Sequence, residues 1–174
     1  MMEYEFTLKF KLLSDGFGID EVVGRLGQVC DDALVGIGQP GRLSLSFTRA
    51  ARSAESAMVS ALSDVKKAVP PAKLVEVTPD FVGLTDVAER IGVSRQNMRK
   101  LMLANPDTFP APIHEGSSAF WHLAALLEWL KGRDGYRIDQ SLLDVARTAM
   151  QINLTKEASQ IERRVQRVVT ALVV

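Results

Sequence analysis

The chain begins with strict alternation. Tyr4, Phe6, Leu8 and Phe10 fall on one face and Glu5, Thr7, Lys9 and Lys11 on the other. That period of two predicts a half-buried strand over Tyr4 to Leu12. The segment SDGFG reads as a loop. Ile19, Val22, Val23, Leu26 and Val29 then recur at helical spacing, which predicts a helix over 19–30 with that face inward. Two strand-like runs follow, Ala33 to Ile37 and Leu43 to Phe47, separated by Gly38-Gln39-Pro40-Gly41. The Pro and Gly of that separator suit a hairpin loop of about four residues. Ser53 to Val69 is again helical, with Ala57, Met58, Ala61, Leu62, Val65 and Val69 on one side, and Pro70-Pro71 stops it. Lys73 to Val77 predicts a short final strand.

The order strand, helix, strand, strand, helix, strand is the split βαβ arrangement. Residues 1–78 are therefore expected to form a ferredoxin-like βαββαβ unit, with four antiparallel strands and two helices on one face. That architecture hosts many functions and points to none. Thr78-Pro79-Asp80 marks the expected boundary, beyond which the pattern becomes mostly helical. The chain as a whole is thus read as α+β.

The stretch GLTDVAERIGVSRQNMRKLM, residues 83–102, predicts two short helices joined by a tight corner. Leu84, Val87, Ala88 and Ile91 supply the inward face of the first, which Thr85 would cap through its hydroxyl. Ala88 is small enough for a second helix to cross close by, and Gly92 permits the positive φ that a corner of three or four residues demands. Val93 fills the gap, Ser94 caps the second helix, and Met98 and Leu101 face inward. Arg95, Gln96, Asn97, Arg99 and Lys100 are left facing outward, with no acidic residue from Ser94 to Asn105. Gln and Asn pair with adenine, Arg pairs with guanine, and base contacts concentrate in the first turn of a recognition helix. Arg95, Gln96 and Asn97 are accordingly the base-reading candidates on the helix 94–104. Thr85, Ser94, Arg99 and Lys100 are the phosphate candidates, which position without specifying. The plainer alternative is a solvated basic helix in an ordinary helical hairpin.

Composition narrows the field. Across 174 residues the chain is 47% apolar and 24% charged, enough for a core and too apolar for a disordered chain. Its 21 basic and 21 acidic residues cancel, so any basic face has to be local. The single cysteine, Cys30, excludes an intramolecular disulfide and is expected to be a buried small hydrophobe. Two histidines and no Cys/His cluster argue against a metal site. No apolar run is long enough to span a bilayer, and the alternating N-terminus is no signal-peptide core, so the cytoplasm is the expected location. Gly16-Phe17-Gly18 and Gly36-Ile37-Gly38 are too short and wrongly placed for a dinucleotide loop, and no constellation supports catalysis. His114 is expected to be an ordinary exposed residue and His122 a local hydrogen-bonding one. No cofactor is expected.

At these residues the chain resembles the MerR-superfamily winged helix-turn-helix proteins, particularly the AlpA-like regulators and phage excisionases. The resemblance continues through DTFPAPIHEGSSAFWHLAALLEWL, where Phe109, Pro110 and Pro112 follow the second helix and a short hairpin leads to Trp121 and the helix ending in Glu128-Trp129-Leu130. It covers about residues 81–133 and implies a winged helix-turn-helix domain over 81–135. Wings of that family usually carry Arg or Lys near the hairpin tip. This one has His114, Glu115, Gly116, Ser117, Ser118 and Ala119, so Ser117, Ser118 and backbone N–H groups are left as its phosphate contacts. Phe120, Trp121, Leu123, Leu126, Leu127, Trp129 and Leu130 are expected to close the small core rather than line a ligand pocket.

The tail, 138–174, is expected to be helical. Leu142, Val145, Ala149 and Ile152 make a seam that Ile161, Val165, Val168 and Leu172 continue after a phase shift near Asn153-Leu154-Thr155. A second copy is the expected partner of that seam, with packing on its own chain as the alternative. The combined expectation is a homodimer, or larger homo-oligomer, that binds double-stranded DNA by sequence and acts as a bacterial or phage-type transcription regulator. The alternatives are an excisionase-like architectural factor, and an antitoxin or adaptor whose N-terminal unit binds a protein.

Overall fold

The structure is a computed structural model that describes residues 1–12 and 18–173. Most of the expected SDGFG loop, and with it Gly16-Phe17, lies outside the described residues. The chain is α+β, with a four-stranded antiparallel sheet, a second sheet of two short strands, and seven helices among the described residues.

Five segments build the first layer: β1 (Met2–Lys11), α1 (Ile19–Val29), β2 (Ala33–Ile37), β3 (Arg42–Ala51) and α2 (Ala54–Ala68). β4 (Lys73–Thr78) completes the sheet, in the order β2-β3-β1-β4. The alternation of β1 is realised directly: Tyr4, Phe6, Leu8 and Phe10 are buried, and Phe6 stacks on Phe47 of β3 with ring centroids 5.2 Å apart. β3 runs past its apolar stretch to Ala51 because β1 pairs with it all the way to Met2. α2 begins at the reciprocal Ser53/Ser56 cap and carries Ala57, Met58, Ala61 and Val65 into the core. α1 buries only Val22 and Leu26 of its expected face. Ile19 and Val29, expected inward, are 40% and 43% exposed at its two ends. Cys30 is buried as expected, and that burial pushes its thiol up to about 11. Arg49 ties the layer together through Asp32 of the loop before β2 and Asp64 of α2, at 2.6 and 2.9 Å.

A second, mostly helical core follows. β5 (Phe81–Val82) pairs with β6 (Trp121–His122), and α3 (Leu84–Arg90), α4 (Arg95–Ala104) and α5 (Leu123–Lys131) pack around Met98, Leu123, Leu126, Leu127 and Leu130. α6 (Gln140–Ala158) joins both cores. Its Val145, Ala149 and Ile152 pack into the sheet layer, while Leu142, Leu143 and Ala146 pack into the helical one. This corrects the expectation for the first half of the tail. The seam Leu142, Val145, Ala149, Ile152 meets α2, β1, β4 and α5 of its own chain and is not free for a second copy. The expected phase shift is also displaced. The helix runs unbroken past Asn153 to Ala158, and the turn comes at Ser159-Gln160. α7 (Arg163–Val173) follows with every residue exposed.

The boundary at Thr78-Pro79-Asp80 is a buried joint. Asp80, 0% exposed, takes hydrogen bonds from His122 Nδ1 at 2.7 Å and Asn153 Nδ2 at 2.8 Å. Asn153 also serves β4: its Oδ1 accepts the Val77 N–H and its Nδ2 donates to the Val77 carbonyl, both at 2.8 Å. One side-chain amide thus takes the place of a neighbouring strand at that sheet edge. No helix among the described residues is long and apolar enough to cross a membrane.

Candidate nucleic-acid interface

The α3–α4 corner forms for the reasons its residues suggest. Gly92 adopts φ +72°, and the Val93 N–H bonds the Ala88 carbonyl at 2.9 Å, drawing the second helix across the first. Ala88 is buried at the crossing, and Met98 is buried from the other side. The Ser94 hydroxyl accepts the Asn97 N–H at 3.1 Å, capping α4 as expected. The cap of α3 differs from expectation. Its N-cap is Gly83, whose N–H is taken by the Asp86 carboxylate at 2.8 Å, while Thr85 sits inside the first turn with its side chain exposed. A carboxylate three residues on reaches the cap more directly than a hydroxyl already within the helix.

This frame leaves Arg95, Gln96, Asn97, Arg99 and Lys100 exposed along α4. Among the described residues no carboxylate pairs with the three cations of this face. Lys9 pairs with Glu76, Arg25 with Glu21, Arg49 with Asp32 and Asp64, and Arg147 with Glu128, whereas Arg95, Arg99 and Lys100 have no ion pair among the described residues. A chain of zero net charge thereby keeps a local cationic face. Asn97 is the exception to freedom on this face. The Tyr136 hydroxyl, from the segment after α5, donates to its Oδ1 at 3.1 Å. That bond occupies the amide oxygen and leaves the Nδ2 donors unused by it.

The support beneath α4 is aromatic. Phe109 meets Trp121 and Trp129 edge to face, with centroids 6.1 and 4.9 Å away, and Trp121 Nε1 donates to the Pro110 carbonyl at 2.9 Å. Arg133 lies over the Trp129 ring, 3.8 Å from its centroid, and donates to Asn105 Oδ1 at 2.7 Å, so the last turn of α4 is anchored to the end of α5. Residues 113–120 form a narrow hairpin closed by the Ile113 N–H to Phe120 carbonyl bond, 2.8 Å, and its return from Phe120 N–H to His114.

Between that hairpin and the two helices lies a cleft of about 780 Å³. Of the residues expected to touch nucleic acid, it brings together Thr85, Arg95, Ser117 and Ser118. Gln96, Asn97, Arg99 and Lys100 project from α4 outside it, and Ser94 is at the cap. Asp86 and Glu115 also line the cleft, so its wall is not uniformly attractive to phosphate. Sequence reasoning missed Tyr136 and the Asp80 partner of His122, which it had taken for a local contact. Their partners lie 39 and 42 residues away, and no short-range pattern marks them. Compared with protein-family models, with curated proteins and with solved structures, the chain matches none.

Proposed function

We propose that the chain is a sequence-specific double-stranded DNA-binding protein that presents α4 to the major groove. The observation that carries this reading is the first turn of α4. Arg95, Gln96 and Asn97 stand exposed on a helix whose cations have no ion pair among the described residues, ahead of a tight helix crossing. The α3–α4 corner with the 113–120 hairpin is read as a winged helix-turn-helix, in line with the resemblance to MerR-superfamily and AlpA-like regulators. The strand order β2-β3-β1-β4, with α1 and α2 as crossovers, supports a ferredoxin-like reading of the first layer. The role that fits best is a cytoplasmic transcription regulator of bacterial or phage type. Arg95, Gln96 and Asn97 would read bases. Arg99 and Lys100, with the Thr85, Ser94, Ser117 and Ser118 hydroxyls, would hold phosphates.

Selection of bound duplexes from a random pool tests it. A recurrent motif is expected. Gln96→Ala should flatten preference at one position of that motif, by the about 1–3 kcal/mol of a bidentate pair, and keep the salt dependence. Lys100→Ala should weaken all sequences alike and lower the salt slope by about one. If the full chain retains no duplex from the pool at low salt, the reading is wrong.

A further inference from the structure

The sheet has two edges, and the chain treats them differently. At β4, Asn153 occupies both the N–H and the C=O of Val77, and Lys156 donates to the Val75 carbonyl, so side chains of α6 close that edge. At β2, no described residue does the equivalent. The register Ala33↔Phe47 to Ile37↔Leu43, with the bonds Thr48 N–H to Asp32 and Gly38 N–H to Arg42, shows that even-numbered residues of β2 bond inward to β3. Both backbone groups of Val35 and of Ile37, and the Ala33 carbonyl, therefore point out of the sheet; the Ala33 N–H is used on Cys30.

Exposed strand edges are normally blunted by Lys, Pro, a bulge or a covering element. Ala33-Leu34-Val35-Gly36-Ile37 has no charge, no proline and no register shift. It exposes Leu34 to 79% and Ile37 to 55%, with Val29 at the end of the adjacent α1 exposed to 43%. We infer that β2 is a homodimer edge, pairing antiparallel with β2 of a second copy about a two-fold axis at Val35.

That register pairs every outward group except the Ile37 carbonyl, whose opposite number, the Ala33 N–H, is spent on Cys30. The Val35 N–H of each copy meets the Val35 carbonyl of the other, and each Ile37 N–H meets the other copy's Ala33 carbonyl, two bonds of each kind. It sets Leu34 opposite Gly36 of the second copy, a protrusion against a position without a side chain. A Cβ at Gly36 would lie 2.6 Å from Ser44 Oγ, so a larger residue there would have to displace that hydroxyl from its bond to the Gly36 carbonyl. Charge favours the antiparallel sense: Asp31 and Asp32 at the start of each strand lie beside the hairpin end of the other, where Arg42 is exposed. A parallel pairing would set acid beside acid. The result is a continuous eight-stranded sheet, two copies of the four-stranded one, with isologous symmetry. The inference is independent of DNA binding, since its readout is mass in the absence of nucleic acid.

Sedimentation or light scattering of the full chain at tens of micromolar is the test. The wild type should give twice 19.1 kDa. Val35→Pro removes an N–H that has no partner among the described residues, at an edge position where proline is tolerated, and should give the monomer mass with an unchanged far-UV spectrum. Should that variant fail to fold, Leu34→Lys decides, because a 79% exposed side chain can be charged without touching the core. Val168→Glu, on the exposed face of α7, should leave the dimer intact. A monomeric wild type, a folded Val35→Pro that stays dimeric, or dissociation by Val168→Glu while both β2 variants stay dimeric would each overturn the inference.

Discussion

Asn153→Ala tests how the two cores are held in one body. Asn153 is 1% exposed and makes three hydrogen bonds of 2.8 Å, to the Val77 N–H, the Val77 carbonyl and Asp80 Oδ2. Truncation orphans all three partners at once, in a place where Asp80 is 0% exposed and keeps only His122 among its side-chain partners. A buried polar group stripped of its partner costs about 1–3 kcal/mol, and a carboxylate sits at the upper end. Water entering the vacated space recovers part of that, so the expected loss is about 4 kcal/mol, a large share of a typical domain's 5–15.

The assay is urea unfolding followed by the fluorescence of Trp121 and Trp129, with the slope m checked against wild type. A loss below about 1 kcal/mol at unchanged m would refute the reasoning, since the amide would then be dispensable to the joint. A double-mutant cycle with Asp80→Asn isolates the Asn153–Asp80 contact and should return a coupling of about 1–2 kcal/mol. The wild type should unfold in one transition, because α6 contributes buried residues to both cores.

Two further outcomes are expected. Tyr136→Phe removes the 3.1 Å bond to Asn97 without disturbing burial, so binding to the selected duplex should weaken by about 1 kcal/mol with the salt slope unchanged; unchanged affinity and base preference would exclude Tyr136 as a positioning residue. Arg49→Met should cost about 2–3 kcal/mol at neutral pH by stranding Asp32 and Asp64. The side-chain hydrogen bond from Arg49 holds the Asp32 carboxyl below its ordinary range, so this contribution is present above about pH 4 and fades as pH falls through the depressed value. The stability gap between the two proteins should therefore narrow as pH falls below about 4, and a gap that stays constant through acid pH would contradict the assignment.

Elements with one clean period were legible in advance. β1 alternates without interruption, β2 carries its expected bounds, and α2 stops ahead of Pro70-Pro71 as expected. Periodicity says that a face is apolar and not what it meets. The α6 seam was visible as spacing, yet the same spacing serves a coiled coil or a sheet, and only the chain's path decides between them. Asn153 on that seam looked like a break in phase because an amide is rarely fully buried. Its reason is the edge of β4, 76 residues earlier. The α4 face was legible as a run without acids. Its fixing by Tyr136 was not, since a hydroxyl and an amide 39 residues apart carry no shared pattern. Ile19 and Val29 fit the helical face of α1 but are its first and last residues, and both stay partly exposed there.

The proposed DNA binding by a chain of zero net charge rests on a local cluster of cations, and this fixes the expected salt dependence. Among the described residues Lys9, Arg25, Arg49, Arg147 and Lys156 pair with carboxylates, while Arg95, Arg99 and Lys100 do not and sit together on α4, a helix without an acidic residue. Each phosphate neutralised contributes about −0.9 to the slope of log K against log salt, so one copy should show no steeper than about −3 and a pair about −5 to −6. Non-specific affinity is then low, and discrimination falls to the first turn of α4, where Asp86 and Glu115 near Arg95 further penalise a misplaced backbone. A filter-binding titration between low and moderate salt reads the slope directly. A value near −6 for a single copy would mean that a second basic surface is engaged, and Arg163, Arg164 and Arg167 on the exposed α7 are one group of sufficient size. Neutralising those three would then have to restore the shallow slope; if it did not, α4 would no longer be the principal contact.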